Sequence, residues 1–242
     1  MTSKICLMLG LALGLIWGGA AQATDAVPLA PDAMGPKVPA GQLQAAPVPN
    51  GKIAGPPSPF TPLDPQVAIQ KANTYFNTTT SMIADFVQIG GDGRRAEGKM
   101  YIQKPGRLRF EYAAPATLDI IADGTTVAVI DRKVGSVQPY FIWQTPLKFL
   151  LKDQIDLTKD TQVVNVTSEP DTVTILIADK QVFGGPTMIK LMFDPATPNF
   201  QLKQWQVTDP QGNETLVSLF NQDFTDKPDP GNFQLYQSSS TK

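Results

Sequence analysis

The side chains that could do chemistry are few. The 242-residue chain has no histidine and a single cysteine, Cys6, which stands at the start of an N-terminal apolar run. Histidine- and cysteine-based nucleophile systems are therefore excluded, as are zinc sites built from nitrogen and sulfur ligands. Acid–base work near neutral pH would fall to carboxylates, lysines or tyrosines with shifted pKa values. Asp123, Asp131, Asp179, Asp194 and Asp209 all stand at turns or strand ends, where aspartate serves as a turn former. No paired carboxylates form a catalytic motif, and no phosphate-cradling glycine loop precedes a helix. A carboxylate-based hydrolase stays only as a remote alternative. No cofactor and no metal site is expected.

The elements that would position such groups begin after the N-terminus. Met1–Ala23 reads as a cleavable signal peptide: Lys4 as the charged start, an apolar run from Ile5 to Trp17, and Ala21-Gln22-Ala23 as the small-x-small cleavage pattern. The run is short for a bilayer span. Cys6 leaves with this segment, so a disulfide framework is excluded although an exported protein could form one. The mature chain is one unit more negative than the chain's formal −2, the opposite of a basic nucleic-acid-binding face. Residues 24–65 hold 11 of the 22 prolines among alanines and glycines. Such a composition buries too little apolar area to offset ordering entropy, so residues 24–62 read as a Pro/Ala-rich tether. The folded domain is expected over residues 63–236, followed by a disordered tail at 237–242.

Within that domain Asp64 and Pro65 mark a helix start, as N-cap and first-turn proline. Val67, Ala68, Ala72, Tyr75 and Phe76 fall at helical spacing to about Asn77. The period then changes to two. Met82, Ala84 and Phe86 share a face; so do Met100, Ile102 and Lys104, and so do Leu108, Phe110 and Tyr112, with Arg107, Arg109 and Glu111 opposite. Further strands are expected at 119–122, 127–131, 162–166, 172–178, 187–193, 202–208 and 214–220, separated by Asp-Gly and Gly-Pro turn signals. Residues 147–152 read as one or two helical turns grouping Leu147, Leu150 and Leu151. The fold class is thus mainly β with helices (α+β): about ten antiparallel strands, curled, with helices covering one side. Trp143 and Trp205 are expected as packing residues. Asn77, Asn165 and Asn213 begin N-x-Thr patterns that carry little weight behind a bacterial-style export signal.

Several segments together resemble a known family. The run Ile102-Gln103-Lys104-Pro105-Gly106-Arg107-Leu108-Arg109-Phe110-Glu111-Tyr112, followed by Pro115, is similar to the signature of the periplasmic outer-membrane lipoprotein carriers of the Lol pathway. Phe86-Val87-Gln88, Ile121-Ala122-Asp123-Gly124 and Thr145-Pro146-Leu147-Lys148-Phe149-Leu150-Leu151 follow in the family's order. The resemblance implies an unclosed antiparallel β-barrel with a helical lid enclosing an apolar cavity. It also implies a periplasmic carrier with three partners: acylated lipoproteins as cargo, an inner-membrane ABC-type release complex as donor, and an outer-membrane receptor as acceptor. A monomer is expected, with no nucleic-acid partner.

On that basis the candidate acyl-chain cavity is lined by Met100, Ile102, Leu108, Phe110, Tyr112, Leu147, Leu150 and Leu151. The same periodicity would equally describe a filled core. Lys104 occupies the place where the family's arginine helps hold the lid closed; it is a lid-latch candidate, though an ammonium lacks the planar fork of a guanidinium. Its other reading is a strand-end lysine reaching solvent. Arg107 and Arg109 are candidate partner-binding residues, against the plainer reading of a solvated face. Two further functions stay open on this fold: a lipid- or lipoprotein-binding sensor that does not shuttle, and a structural β-domain with no ligand.

Overall fold

The computed structural model describes residues 60–179 and 185–235. The expected signal peptide and tail lie outside the described residues, as does the tether up to residue 59. Helix α1, Pro65–Thr78, begins as its cap residues dictate. The Asp64 carboxylate accepts hydrogen bonds from the amides of Gln66 and Val67 at 2.8 and 3.2 Å. Its buried stripe is Ala68, Ile69, Ala72, Tyr75 and Phe76. Val67, expected on that stripe, is exposed, and Ile69 takes its place. At about 100° per residue Val67 points roughly 140° from the stripe's centre.

Eleven antiparallel strands follow: β1 Ser81–Ile89, β2 Arg95–Gln103, β3 Arg107–Tyr112, β4 Leu118–Asp123, β5 Thr126–Asp131, β6 Ser136–Phe141, β7 Gln162–Ser168, β8 Val173–Asp179, β9 Thr187–Phe193, β10 Leu202–Thr208 and β11 Glu214–Asp223. They form one sheet in the order β6-β5-β4-β3-β2-β1-β11-β10-β9-β8-β7. The fold class expected from the sequence is the one observed, with one more strand. The addition is β6, whose Pro139 argues against a strand in any sequence reading. Proline is tolerated there because β6 is an edge, with β5 as its only neighbour in the sheet.

This order has a simple logic. The chain enters at the middle of the sheet, walks outward to one edge at β6, then reappears at the other edge as β7. From there it returns inward until β11 pairs with β1. Residues 142–161 join the two edges. They hold a 3-10 turn (Ile142–Gln144) and two short helices, α2 Lys148–Leu151 and α3 Leu157–Asp160. Sequence reading anticipated α2 but not the α3 turn.

The inner face of the sheet is filled by aromatic rings meeting edge to face. Tyr112 and Phe110 each contact Phe86 at 5.1 and 5.0 Å between centroids, Phe110 contacts Trp205 at 6.3 Å, and Trp205 contacts Phe149 of α2 at 6.2 Å. Phe149 contacts Phe76 of α1 at 5.9 Å, which leads to Phe193 at 5.8 Å. Each such pair adds ~1 kcal/mol to the burial of its area. Trp205 is fully buried, as expected of a packing residue; Trp143 is not, being 60% exposed on the 3-10 turn, where it stacks on Phe141 instead of entering the core.

One glycine makes part of this packing possible. Phe86, Gly98 and Tyr112 lie in one cross-strand row, so the missing side chain at Gly98 lets the two flanking rings meet above it. A Cβ at Gly98 would lie 2.0 Å from the Glu111 carbonyl oxygen. Gly98→Ala should therefore lower unfolding free energy by about 2 kcal/mol or more, read as a lower denaturant midpoint. An unchanged midpoint would show that this row tolerates a side chain.

Candidate functional site

The segment 142–161, a strap across the sheet, is fastened to what lies beneath it by polar contacts at its margins and by apolar burial at its middle. At one margin, the backbone amide of Gly106, in the β2–β3 turn, donates to the Leu151 carbonyl at 3.0 Å. At the other, Lys148 meets Asp179, the last residue of β8, at 2.7 Å. Asp179 was read from the sequence as a turn former. It stands at a strand end as expected, and it is also a buried carboxylate, 3% exposed, paired with Lys148 of α2. Farther along, the Asn77 side chain bonds both backbone groups of Ile155, accepting from its amide at 2.8 Å and donating to its carbonyl at 3.0 Å. Asn73 accepts from the Leu157 amide at 3.0 Å, so α1 holds the strap through two asparagines. Within the strap, Lys152 pairs with Asp160 at 2.5 Å.

Two glycine turns support the same end of the sheet. Gly106 has a φ of +74°, and a Cβ there would lie 2.6 Å from the Gly124 Cα. The β2–β3 and β4–β5 turns therefore touch backbone to backbone, which only a residue without a side chain allows at a left-handed φ.

Between strap and sheet lies a cavity of about 520 Å³. Its apolar lining comes from Ile142, Trp143, Phe149, Leu151 and Ile155 of the strap and from Ile177 and Ile189 of β8 and β9. Lys148, Lys152, Asp153, Asp160 and Asp179 also border it. An apolar chamber with charged groups beside it suits a ligand with a hydrocarbon body and a polar head. A methylene is about the size of a water molecule, on the order of 30 Å³, so the cavity has room for about one long hydrocarbon chain.

Of the eight residues expected to line a cavity, Leu151 borders this one. Met100, Ile102, Leu108, Phe110, Tyr112, Leu147 and Leu150 are buried in the core, packed on one another and on the aromatic rings. The Tyr112 hydroxyl donates to the Gln88 side-chain oxygen at 2.7 Å, and burial pushes its phenol pKa up, so it stays neutral. Sequence reasoning missed Phe149, Ile155, Ile177 and Ile189. The signal for Phe149 was present: Leu147, Phe149, Leu150 and Leu151 leave the Lys148 side as the one polar face of a short helix, which requires burial of the rest.

Lys104 follows β2, and its ammonium donates to the Phe76 carbonyl in the last turn of α1 at 2.5 Å. It thus ties the β2–β3 turn to α1, satisfying a carbonyl that the helix end leaves unpaired. Burial lowers its pKa from 10.5 to about 8, with Asp153 pulling the other way. Arg107 is exposed and reaches Gln103 at 3.4 Å. Arg109 is not on an open face: the C-terminal turn Pro230–Phe233 packs over β3 and β4, and Asn232 meets the guanidinium at 3.4 Å. Arg109 and Arg132 approach Asp119 at 3.5 and 2.9 Å. Burial nevertheless raises the Asp119 pKa, against the pull of both arginines.

The profile of the family described as "Outer membrane lipoprotein carrier protein LolA" matches residues 77–236. An uncharacterised protein of Rickettsia prowazekii is 29% identical over 111 residues, covering 46% of this chain and 52% of the relative, so the chain spans about half of that protein's length. An outer-membrane lipoprotein carrier protein of Chromobacterium violaceum is 25% identical over 162 residues, covering 64% of this chain and 76% of the relative. A solved structure of a LolA superfamily protein from Nitrosomonas europaea aligns with a TM-score of 0.43 at 13% identity, over 70% of this chain and 96% of that one.

Two measurements follow from the fastenings. Lys148→Met removes the strap's side of the ion pair with the buried Asp179 carboxylate and should loosen the strap, seen as faster amide exchange at residues 150–152. Exchange unchanged there would mean that the ion pair does not hold the strap. Lys104 sheds its proton at a lower pH folded than unfolded, so its contribution to stability rises as pH climbs from about 8 through 10.5. Lys104→Met should flatten that part of the stability–pH curve, measured by denaturant titration.

Proposed function

Because the chain belongs to the outer membrane lipoprotein carrier family, LolA, we propose that it is a periplasmic carrier. It accepts lipid-modified proteins released from the inner membrane and delivers them to an outer-membrane receptor, shielding their acyl chains under the strap. The observation that carries this reading is the apolar cavity between strap and sheet, bounded by Phe149, Leu151, Ile155, Ile177 and Ile189. The export signal read in residues 1–23 and the domain beginning near residue 63 agree with it. So does the carrier name borne by the Chromobacterium violaceum relative.

The physical task explains the form. Moving an acyl chain from a membrane into water costs ~0.8 kcal/mol per methylene, tens of kcal/mol for a lipoprotein with several chains. A carrier must offer replacement apolar surface, yet surrender the cargo without a nucleotide, so its affinity lies between those of donor and acceptor. The cavity has room for about one chain. Further chains require the strap to lift, exposing the inner face that Phe149 covers. In this reading Lys148–Asp179, Gly106–Leu151 and the two asparagines of α1 hold the strap shut. Lys104 acts as a latch on α1, with Arg107 left free to meet a partner. The chain works as a monomer and binds rather than catalyses.

The test is extraction of a tagged lipoprotein from inner-membrane vesicles that hold an energised release complex. A soluble one-to-one complex, formed with lipidated and not with unlipidated cargo, is the expected result. Binding of a fluorescent acyl probe without extraction would make the chain a lipid-binding module and not a shuttle. Failure of both binding and extraction would sink the proposal. Leu151→Arg, which sets a charge at the cavity wall, should weaken acyl-probe binding about tenfold or more.

A further inference from the structure

Edge strand β6 has its polarity reversed. In a sheet with one solvated side, outward residues are polar and inward ones apolar. Here Ser136, Gln138 and Tyr140 are the partly buried residues, while Val137, Pro139 and Phe141 are exposed. The pattern continues past the strand end, with Ile142 partly buried and Trp143 60% exposed. Four of the nine large hydrophobic side chains exposed among the described residues, Val134, Val137, Phe141 and Trp143, fall within this one stretch. The Phe141 and Trp143 rings are stacked, 5.9 Å apart and 11° from parallel, which fixes them as one flat apolar surface. Natural sheets protect their edges with charge. The outward stripe of β6 carries none.

The stripe also runs directly into the cavity, because Trp143 lines the chamber on one side and faces solvent on the other. We propose that Val137, Pro139, Phe141 and Trp143 form a docking surface for a lipid bilayer, which brings the cavity's entrance to the membrane interface. This deepens the carrier reading and rests on it. Tryptophan and phenylalanine favour the headgroup–acyl boundary, where rings shed water without burying charge. A hydrocarbon chain leaving the bilayer would cross Trp143 into the chamber without meeting water.

The other occupants fit less well. A strand added to β6 would need a continuous row of backbone donors, and Pro139 supplies none at its position. A second copy of the chain would need about 800 Å² on each partner for a stable interface. The stripe is one side chain wide and runs roughly 13 Å in strand geometry from Val137 to Phe141, then one short turn further to Trp143, and offers much less than that area.

The experiment uses the purified chain and cargo-free vesicles of phosphatidylethanolamine and phosphatidylglycerol. The chain should sediment with the vesicles. The emission of Trp143, isolated as the difference between the chain and its Trp143→Phe variant, should be quenched when the acyl chains carry bromine. Val137→Ser with Phe141→Ser should lower vesicle partitioning about tenfold or more, leaving acyl-probe binding in the cavity unchanged, since neither side chain lines it. Both side chains are exposed, so the thermal midpoint should hold; Phe141→Ser alone serves if the pair destabilises the chain. No vesicle association, or association indifferent to these substitutions, overturns the proposal. Self-association that the same substitutions abolish, without vesicle binding, overturns it in favour of a second copy. Stripe-dependent vesicle binding in a chain that takes up no acyl probe upholds the docking surface and defeats the carrier reading alone.

Discussion

A sheet whose chain leaves from one edge and returns at the other needs a crossing. β6 and β7 are consecutive in the chain yet lie at opposite ends of the strand order, so residues 142–161 have to pass between them. Much else depends on this constraint. The sheet curls, its inner face is too apolar to leave wet, and the segment that makes the crossing also has to cover it. α2 is therefore buried on all of Leu147, Phe149, Leu150 and Leu151, an unusual demand on so short a helix. α1 lies alongside and completes the cover through Tyr75 and Phe76.

The magnitudes separate what closes the strap from what aligns it. A buried phenylalanine such as Phe149 is worth ~3–5 kcal/mol when deleted, several times the ~1 kcal/mol of a single backbone bond such as Gly106 to Leu151. Burial supplies the closing force. The directional contacts at the margins, from Gly106, Asn73, Asn77 and Asp179, decide where the strap comes to rest. A charged pair with one buried member adds little when intact, because desolvation offsets attraction, yet costs much when one partner is removed. Such a contact favours one resting position sharply without making it deep.

Most of the fold was legible because its strands alternate. Met82, Ala84 and Phe86, Met100 and Ile102, and Leu108, Phe110 and Tyr112 all face inward as their spacing dictates. β6 escaped because its apolar residues face outward and a proline interrupts it, so both cues on which a strand is read were reversed. The candidate site was less legible. Periodicity assigns a residue to a face of the sheet, not to an end of it, and the cavity lies at one end under the strap. Ile177 and Ile189 reach it from strands far along the chain, and nothing local to them marks that meeting. The burial of Asp179 and of Arg109 was hidden for the same reason. Each has a sequence context typical of the surface, and a distant segment covers it: α2 in one case, the Pro230–Phe233 turn in the other.

The strap is joined to the sheet at both ends, which has a kinetic and thermodynamic consequence. Phe149 acts as a built-in competitor for the space it occupies, tethered at a high and constant effective concentration. Dilution of the protein does not weaken this competition. In the proposed carrier, a guest that displaces the ring would bind with its intrinsic affinity reduced by the fraction of time the chamber stands open. The return of Phe149 would be a unimolecular step, so guest departure would need no second molecule. Affinity and lifetime would both depend on α2, which is at once part of the chamber's wall and its competitor.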